Sequence, residues 1–308
     1  MRGLLFFIFL LLQVSACFSQ KRGNSAREEI WGQRGDQPIK LITLANKKGM
    51  EVRVTSYGAT LIWVSVPDRN GVYENVVLGF DSLKRYLAGH PTFGSLIGRY
   101  ANRIGGAKFK IDSVEYTLVA NSGRYNTLHG GREGFDKKVF QVEKCAAAGD
   151  SSFVTLSYLS PDMEEGFPGN LKLLVTYVLT AANEVKILYE AETDKPTVVN
   201  FTNHSYFNLT SCKEDVLNHH LVIYADSITA TDRGLIPTGL LEAVAGSPYD
   251  FTSMHAIGDR IKELPAGYDI NYQLRRKNEG LVPAAEAFEP KSGRTLQTYT
   301  TEPGLQLY

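Results

Sequence analysis

The chain has little of what most catalytic signatures are built from. It carries three cysteines in 308 residues, at 17, 145 and 212. No Cys-x-x-Cys and no pair of histidines at helix spacing occurs, which weakens any reading as a zinc site. No Gly-x-Ser-x-Gly elbow and no phosphate-binding glycine loop is present, so the familiar serine-hydrolase and nucleotide-binding signals are missing. Net charge is zero, with 33 basic and 33 acidic residues and no basic block, so nucleic acid is set aside as a partner. Helical periodicity is scarce as well. Ser82 to Leu87 has room for a turn or two, and no repeat, low-complexity tract or composition shift divides the chain.

Long apolar runs are missing too, apart from Leu4 to Leu12 behind Arg2. That run is too short to span a bilayer, which takes about 20 residues, and it has the flanks of a signal peptide. Val14-Ser15-Ala16-Cys17 resembles a bacterial lipobox. Residues 1–16 are therefore expected to be a signal peptide and Cys17 a lipidated first mature residue. Export follows, to the periplasm or to a membrane through this lipid anchor alone. The alternative is a soluble secreted protein with a stray thiol. Residues 18–35, rich in Gln, Arg, Gly, Asn and Ser, read as a flexible tether, and residues 36–308 as one domain. Cys145 and Cys212 read as unpaired structural residues, although an oxidising compartment would permit pairing if the fold brought them close.

What the sequence does have is aromatic residues, 16 Tyr and 15 Phe against two Trp, and period-two alternation from Ile39 onward. Val52 and Val54 alternate with Glu51, Arg53 and Thr55. Leu61 to Val66 runs into Pro67-Asp68-Arg69-Asn70-Gly71, a strong turn. Phe109, Ile111, Tyr116 and Leu118 flank a polar turn. Leu173, Val175, Tyr177 and Leu179, then Ala181-Ala182-Asn183, then Val185, Ile187 and Tyr189 make the clearest hairpin. Side chains two apart share a face, so each arm has one apolar and one wetter side. Many short strands at this spacing predict an all-β sandwich or barrel.

Four stretches are too polar for their strand-like flanks. They are Gly98 to Ile104 with Arg99, Asn102 and Arg103; Asn126 to Gly131 with His129; Val199 to Leu209 with His204 and Tyr206; and Gly267 to Leu274 with Asp269 and Asn271. Singly, each has an ordinary explanation: a satisfied core histidine, an arginine at a turn, the end of a loop. His219 and His220 are adjacent and so point to opposite faces of a strand. Together the four stretches collect imidazole, guanidinium, carboxylate and aromatic faces, which suits a neutral polyhydroxylated ligand. A histidine near its usual pKa of roughly 6.5 can give or take a proton at neutral pH.

The motifs GRYANRI, NTLHGG, EEGFPGNL, VNFTNHSYFNL, the IPTG and SPYDF segments and TTEPGLQLY follow one another as in the aldose 1-epimerases, or galactose mutarotases. The sequence resembles that family over nearly all of Ile39 to Tyr308. The resemblance implies a galactose-mutarotase-like antiparallel β-sandwich (a supersandwich) with the sugar in an open cleft. It also implies interconversion of hexose anomers, galactose or glucose, without metal or cofactor. By the same resemblance His204 is the proton donor to the ring oxygen and His129 hydrogen-bonds near it. Asn102 and Arg103 orient the ring, Asp269 and Gln306 hold sugar hydroxyls, and Tyr206 lines the cleft. The family's general-base glutamate lies on a strand after TTEPGLQ and is absent from this chain. The expectation is therefore a C-terminally incomplete sandwich lacking its last strands. The alternative function is a sugar-binding lipoprotein without turnover, or an inactive fragment.

Overall fold

The computed structural model describes residues 23–276 and 279–308. The expected signal peptide and Cys17 lie outside the described residues. No helix among the described residues is long and apolar enough to cross a membrane. The chain is built from antiparallel strands, because period-two apolar patterns cut by turn residues leave a half-buried strand as the conformation that buries one face and solvates the other. Ser25–Arg34, Gln37–Ala45, Glu51–Thr55, Thr60–Pro67 and Tyr73–Asn75 form one sheet in chain order. Gln141–Ala148, Ser151–Ser160, Leu171–Thr180 and Val185–Thr193 form a second, also in chain order.

These two sheets share one core. Ile42, Leu44, Val52 and Val54 of the first pack in the same cluster as Val154, Leu156, Leu173, Val175 and Tyr177 of the second. The hairpin predicted around Ala181-Ala182-Asn183 is there, with Val175 opposite Tyr189 and Tyr177 opposite Ile187. Leu171, Leu173, Val175, Tyr177 and Leu179 are all buried while Lys172 points to solvent, as alternation requires. The Tyr177 hydroxyl, inside this core, donates to the Ala59 carbonyl at 2.7 Å and so ties the second layer to the first.

A second sandwich follows in the chain. His255–Ala256, His220–Ile223, Val282–Phe288 and Thr295–Thr300 make one four-stranded sheet; Pro237–Ala243, Ala225–Thr231, Ile270–Leu274 and Gly304–Leu307 make the other. Their shared core holds Ile223, Ile228, Tyr272, Leu274 and Ala284, with Leu305 and Leu307 packed against it. Gly304–Leu307 pairs with Ile270–Leu274 so that Asn271 faces Gln306. Ser82 to Leu87 does become a short helix, Leu83–Leu87.

One expectation needs correction. Residues 18–35 are not all tether, because Ser25–Arg34 is a ten-residue strand paired with Gln37–Ala45, Ile30 opposite Lys40. Its polar composition fits an edge strand with a wet outer face. What anchors it is Trp31, whose ring lies 6.0 Å from that of Tyr86 over the outer face of the first sheet. Residues 18–22 of the expected tether lie outside the described residues. Cys145 and Cys212 are both free.

Candidate active site

The polar stretches meet because short strand pairs stitch them together. Arg103–Ile104 pairs with Thr127–Leu128, Leu128 opposite Arg103, which delivers His129 beside Asn102. Thr202–Asn203 pairs with Leu96–Ile97, and the amide of His204 donates to the Ser95 carbonyl at 2.9 Å. Only those two residues of Val199 to Leu209 are a regular strand, less than its apolar flanks predict. Asn200 joins the first and third stretches, accepting from the Ala101 amide at 2.8 Å and donating its own to the Arg99 carbonyl at 2.9 Å. The second sandwich contributes Asp269, just before Ile270–Leu274, and Gln306 on the neighbouring strand.

Four side chains then close into a ring of polar contacts. Asn102 Nδ2 donates to Gln306 Oε1 at 3.4 Å, and Gln306 Nε2 donates to Asp269 Oδ1 at 2.8 Å. Arg103 sits 3.8 Å from Asp269 Oδ2 and donates to Asn102 Oδ1 at 3.1 Å. All four were expected at the site, and the fold brings all four together.

The two imidazoles lie edge to face, centroids 5.2 Å apart. His129 is held in a left-handed backbone conformation, φ 54°, and its Nδ1 accepts a hydrogen bond from the Asn102 amide at 3.1 Å. An acceptor nitrogen is unprotonated, so in the neutral ring the proton sits on Nε2. Burial, helped by His204 and Arg103, pulls the His129 pKa down to about 4. Burial also lowers the His204 pKa, with the Asp269 carboxylate partly opposing it. At neutral pH the His129 ring is therefore an uncharged hydrogen-bonding group. His204 leans on Tyr206, ring centroids 5.1 Å apart, as the two-residue spacing predicts.

Sequence reasoning missed the rest of the aromatic wall. Phe93 and Tyr308 each meet Tyr206 edge on, at 5.4 and 5.8 Å. The signal was weak: Phe93 lies in a His-Pro-Thr-Phe-Gly loop with no periodicity to single it out. Arg99 belongs elsewhere. It is buried away from the ring of polar contacts, with its guanidinium on Ser160 and on the carbonyls of Pro161 and Pro168. His219 is a buried histidine whose Nε2 accepts from the Leu209 amide at 2.9 Å while its Nδ1 has no hydrogen-bond partner among the described residues.

The family model described as aldose 1-epimerase matches residues 40–308. The chain belongs to the aldose 1-epimerase family. Galactose mutarotase of Sus scrofa is 41% identical over 261 residues, 84% of this chain and 74% of that protein. Aldose 1-epimerase of Escherichia coli K12 is 39% identical over 277 residues, 88% of this chain and 79% of that one. Among solved structures, a galactose 1-epimerase from Lactobacillus acidophilus superposes with a TM-score of 0.83 at 31% identity, covering 93% of this chain and 83% of that one. The double sandwich is thus the fold of this epimerase family, as the motif resemblance implies.

Proposed function

We propose that the chain interconverts the α and β anomers of free aldohexoses, galactose and glucose. Interconversion of aldose anomers follows from family membership, since the curated relatives are named galactose mutarotase and aldose 1-epimerase. The observation that carries the reading to these residues is the pair of edge-to-face imidazoles beside the Asn102–Gln306–Asp269–Arg103 ring. Mutarotation removes a proton from the anomeric hydroxyl and places one on the ring oxygen; the C1–O5 bond opens, C1–C2 rotates, and the steps reverse. The described residues supply the acid side of this exchange and the sugar contacts. His204, in its protonated form, hands a proton to the ring oxygen as the C1–O5 bond breaks and becomes neutral, while water takes the proton released by the anomeric hydroxyl. His129, with its proton fixed on Nε2, donates a hydrogen bond to the same oxygen. Asp269, already oriented by Gln306 and Arg103, accepts from sugar hydroxyls, and Tyr206 offers an apolar platform.

The test is polarimetry of freshly dissolved α-galactose and α-glucose with pure protein. Optical rotation should relax faster than the uncatalysed rate, in proportion to protein concentration. Sugar binding without any acceleration would leave a binding protein instead.

The N-terminal part of the proposal rests on sequence alone: residues 1–16 direct export and Cys17 takes a lipid. Labelled palmitate fed to a bacterial host should label the protein, and Cys17→Ser should abolish the label. Equal labelling of both forms removes the anchor.

A further inference from the structure

His129 needs to be held. A non-glycine residue at φ 54° sits in a left-handed conformation that costs an L-residue roughly 1–2 kcal/mol. The turn that carries it continues through Gly130 and Gly131, both at positive φ. Left alone, such a segment relaxes, and the imidazole leaves the place where Asn102 fixes its tautomer.

One side chain outside the sugar-facing set grips this turn on both sides. Asn121 Oδ1 accepts from the Leu128 amide at 2.7 Å, and Asn121 Nδ2 donates to the Leu128 carbonyl at 2.9 Å. The same Nδ2 donates to the Gly131 carbonyl at 2.7 Å. The residue before His129 and the residue two after it are thus tied to one amide group. Asn121 is itself fixed by its backbone, whose amide donates to the Asn126 carbonyl at 3.0 Å. Behind the turn stands Glu165, which accepts from the Arg132 amide at 2.8 Å and whose carboxylate fills the space where a Cβ on Gly131 would lie. An exposed residue that commits its hydrogen-bonding capacity to a neighbouring backbone does so in place of hydration. The choice of Asn fits, because only an amide offers a donor and an acceptor together at this reach.

We infer that Asn121 is a positioning residue for mutarotation: it holds the Leu128–Gly131 turn so that the His129 imidazole faces the sugar ring oxygen with its proton on Nε2. This rests on the mutarotase reading. A displacement on the order of 1 Å at a reacting group can cost about 10²-fold in rate.

The experiment compares wild type, Asn121→Ala, His129→Ala and the double variant by polarimetry with galactose, alongside nitrogen NMR of the histidine side chains. Asn121→Ala should lower kcat roughly 10- to 100-fold with KM changed far less. In the His129→Ala background the same change should have almost no effect, since the group it positions is gone. The NMR should show one fixed neutral Nε2–H tautomer for His129 in wild type and an averaged pattern in Asn121→Ala. An equal loss in both backgrounds, or unchanged kcat, overturns the inference. If Asn121→Ala does not fold, Asn121→Asp decides: it keeps the acceptor for the Leu128 amide and loses both donor bonds. Should wild type show no turnover, the mutarotase reading has failed, and the tautomer comparison still tests the grip on His129. An unchanged NMR pattern then overturns it.

Discussion

Replacing His204 by Asn should lower kcat for galactose mutarotation by about 10²–10⁴-fold, the usual worth of one positioned proton transfer. The reason is geometric. Ring opening leaves negative charge on the ring oxygen, and His204 is the ring set against both His129 and Tyr206 with Asp269 within electrostatic reach. KM should move little, because the hydroxyl contacts belong to Asn102, Arg103, Asp269 and Gln306 and remain in place. The acid limb of the pH profile should also be informative. Burial lowers both histidine pKa values, that of His129 to about 4, so His129 stays neutral through the usual histidine titration near 6.5 and His204 takes up its proton below it. Activity should therefore rise as the pH drops below 6.5 and more of His204 carries the proton it gives, then fall toward pH 4 as His129 protonates and loses the hydrogen bond from the Asn102 amide. A His204→Asn protein with unchanged kcat and a raised KM would mean that His204 only binds.

Much of this site is legible in the sequence because its residues lie in motifs whose flanks are strand-like. Polar groups in the middle of apolar, alternating sequence need a reason to be there, and the stretches that hold Asn102, His129, His204 and Asp269 stand out together on that ground, while the role of each comes from the family resemblance. The hairpin from Leu171 to Thr193 is legible for a related reason, since period two has one low-energy solution when a face must be buried. What is hidden depends on partners far along the chain. Ser25–Arg34 reads as a polar linker because most of its side chains face water, and only the packing of Trp31 on Tyr86 and of Ala26 on the main core shows why it pairs. Asn121 is hidden because its partners are backbone groups seven and ten residues on, and backbone partners leave no pattern in side-chain types.

Arg99 is the sharpest such case, and it carries the second large effect. In sequence it stands beside Asn102 and Arg103 and looks like part of the same sugar-facing group. In the fold it is 2% exposed. Its guanidinium donates to the Ser160 hydroxyl and carbonyl at 2.9 and 3.0 Å, to the Pro161 carbonyl at 2.9 Å and to the Pro168 carbonyl at 2.8 Å. Burial lowers its pKa, and the nearby Glu164 carboxylate is the leading influence against that shift. Glu164 in turn accepts from the Tyr158 hydroxyl and from Lys138, each at 2.7 Å. A charge this deep is tolerated because every face of the guanidinium is answered. Arg99→Met should cost about 3–5 kcal/mol of stability, because it removes the cation and strands three carbonyls and a carboxylate network in a dry interior. Urea denaturation of the two proteins measures this, and a loss below about 1 kcal/mol would place Arg99 among ordinary surface residues. The same variant should also reach the site from behind. The Gly98 carbonyl, one residue before Arg99, fills the space where a Cβ on Gly130 would sit, and it accepts from the Phe135 amide at 3.2 Å. The guanidinium therefore braces the Gly98–Arg99 segment against which the His129 turn is packed. Folded Arg99→Met protein should consequently lose kcat as well as stability, whereas Arg103→Met, at the sugar-facing ring, should raise KM with a smaller effect on folding.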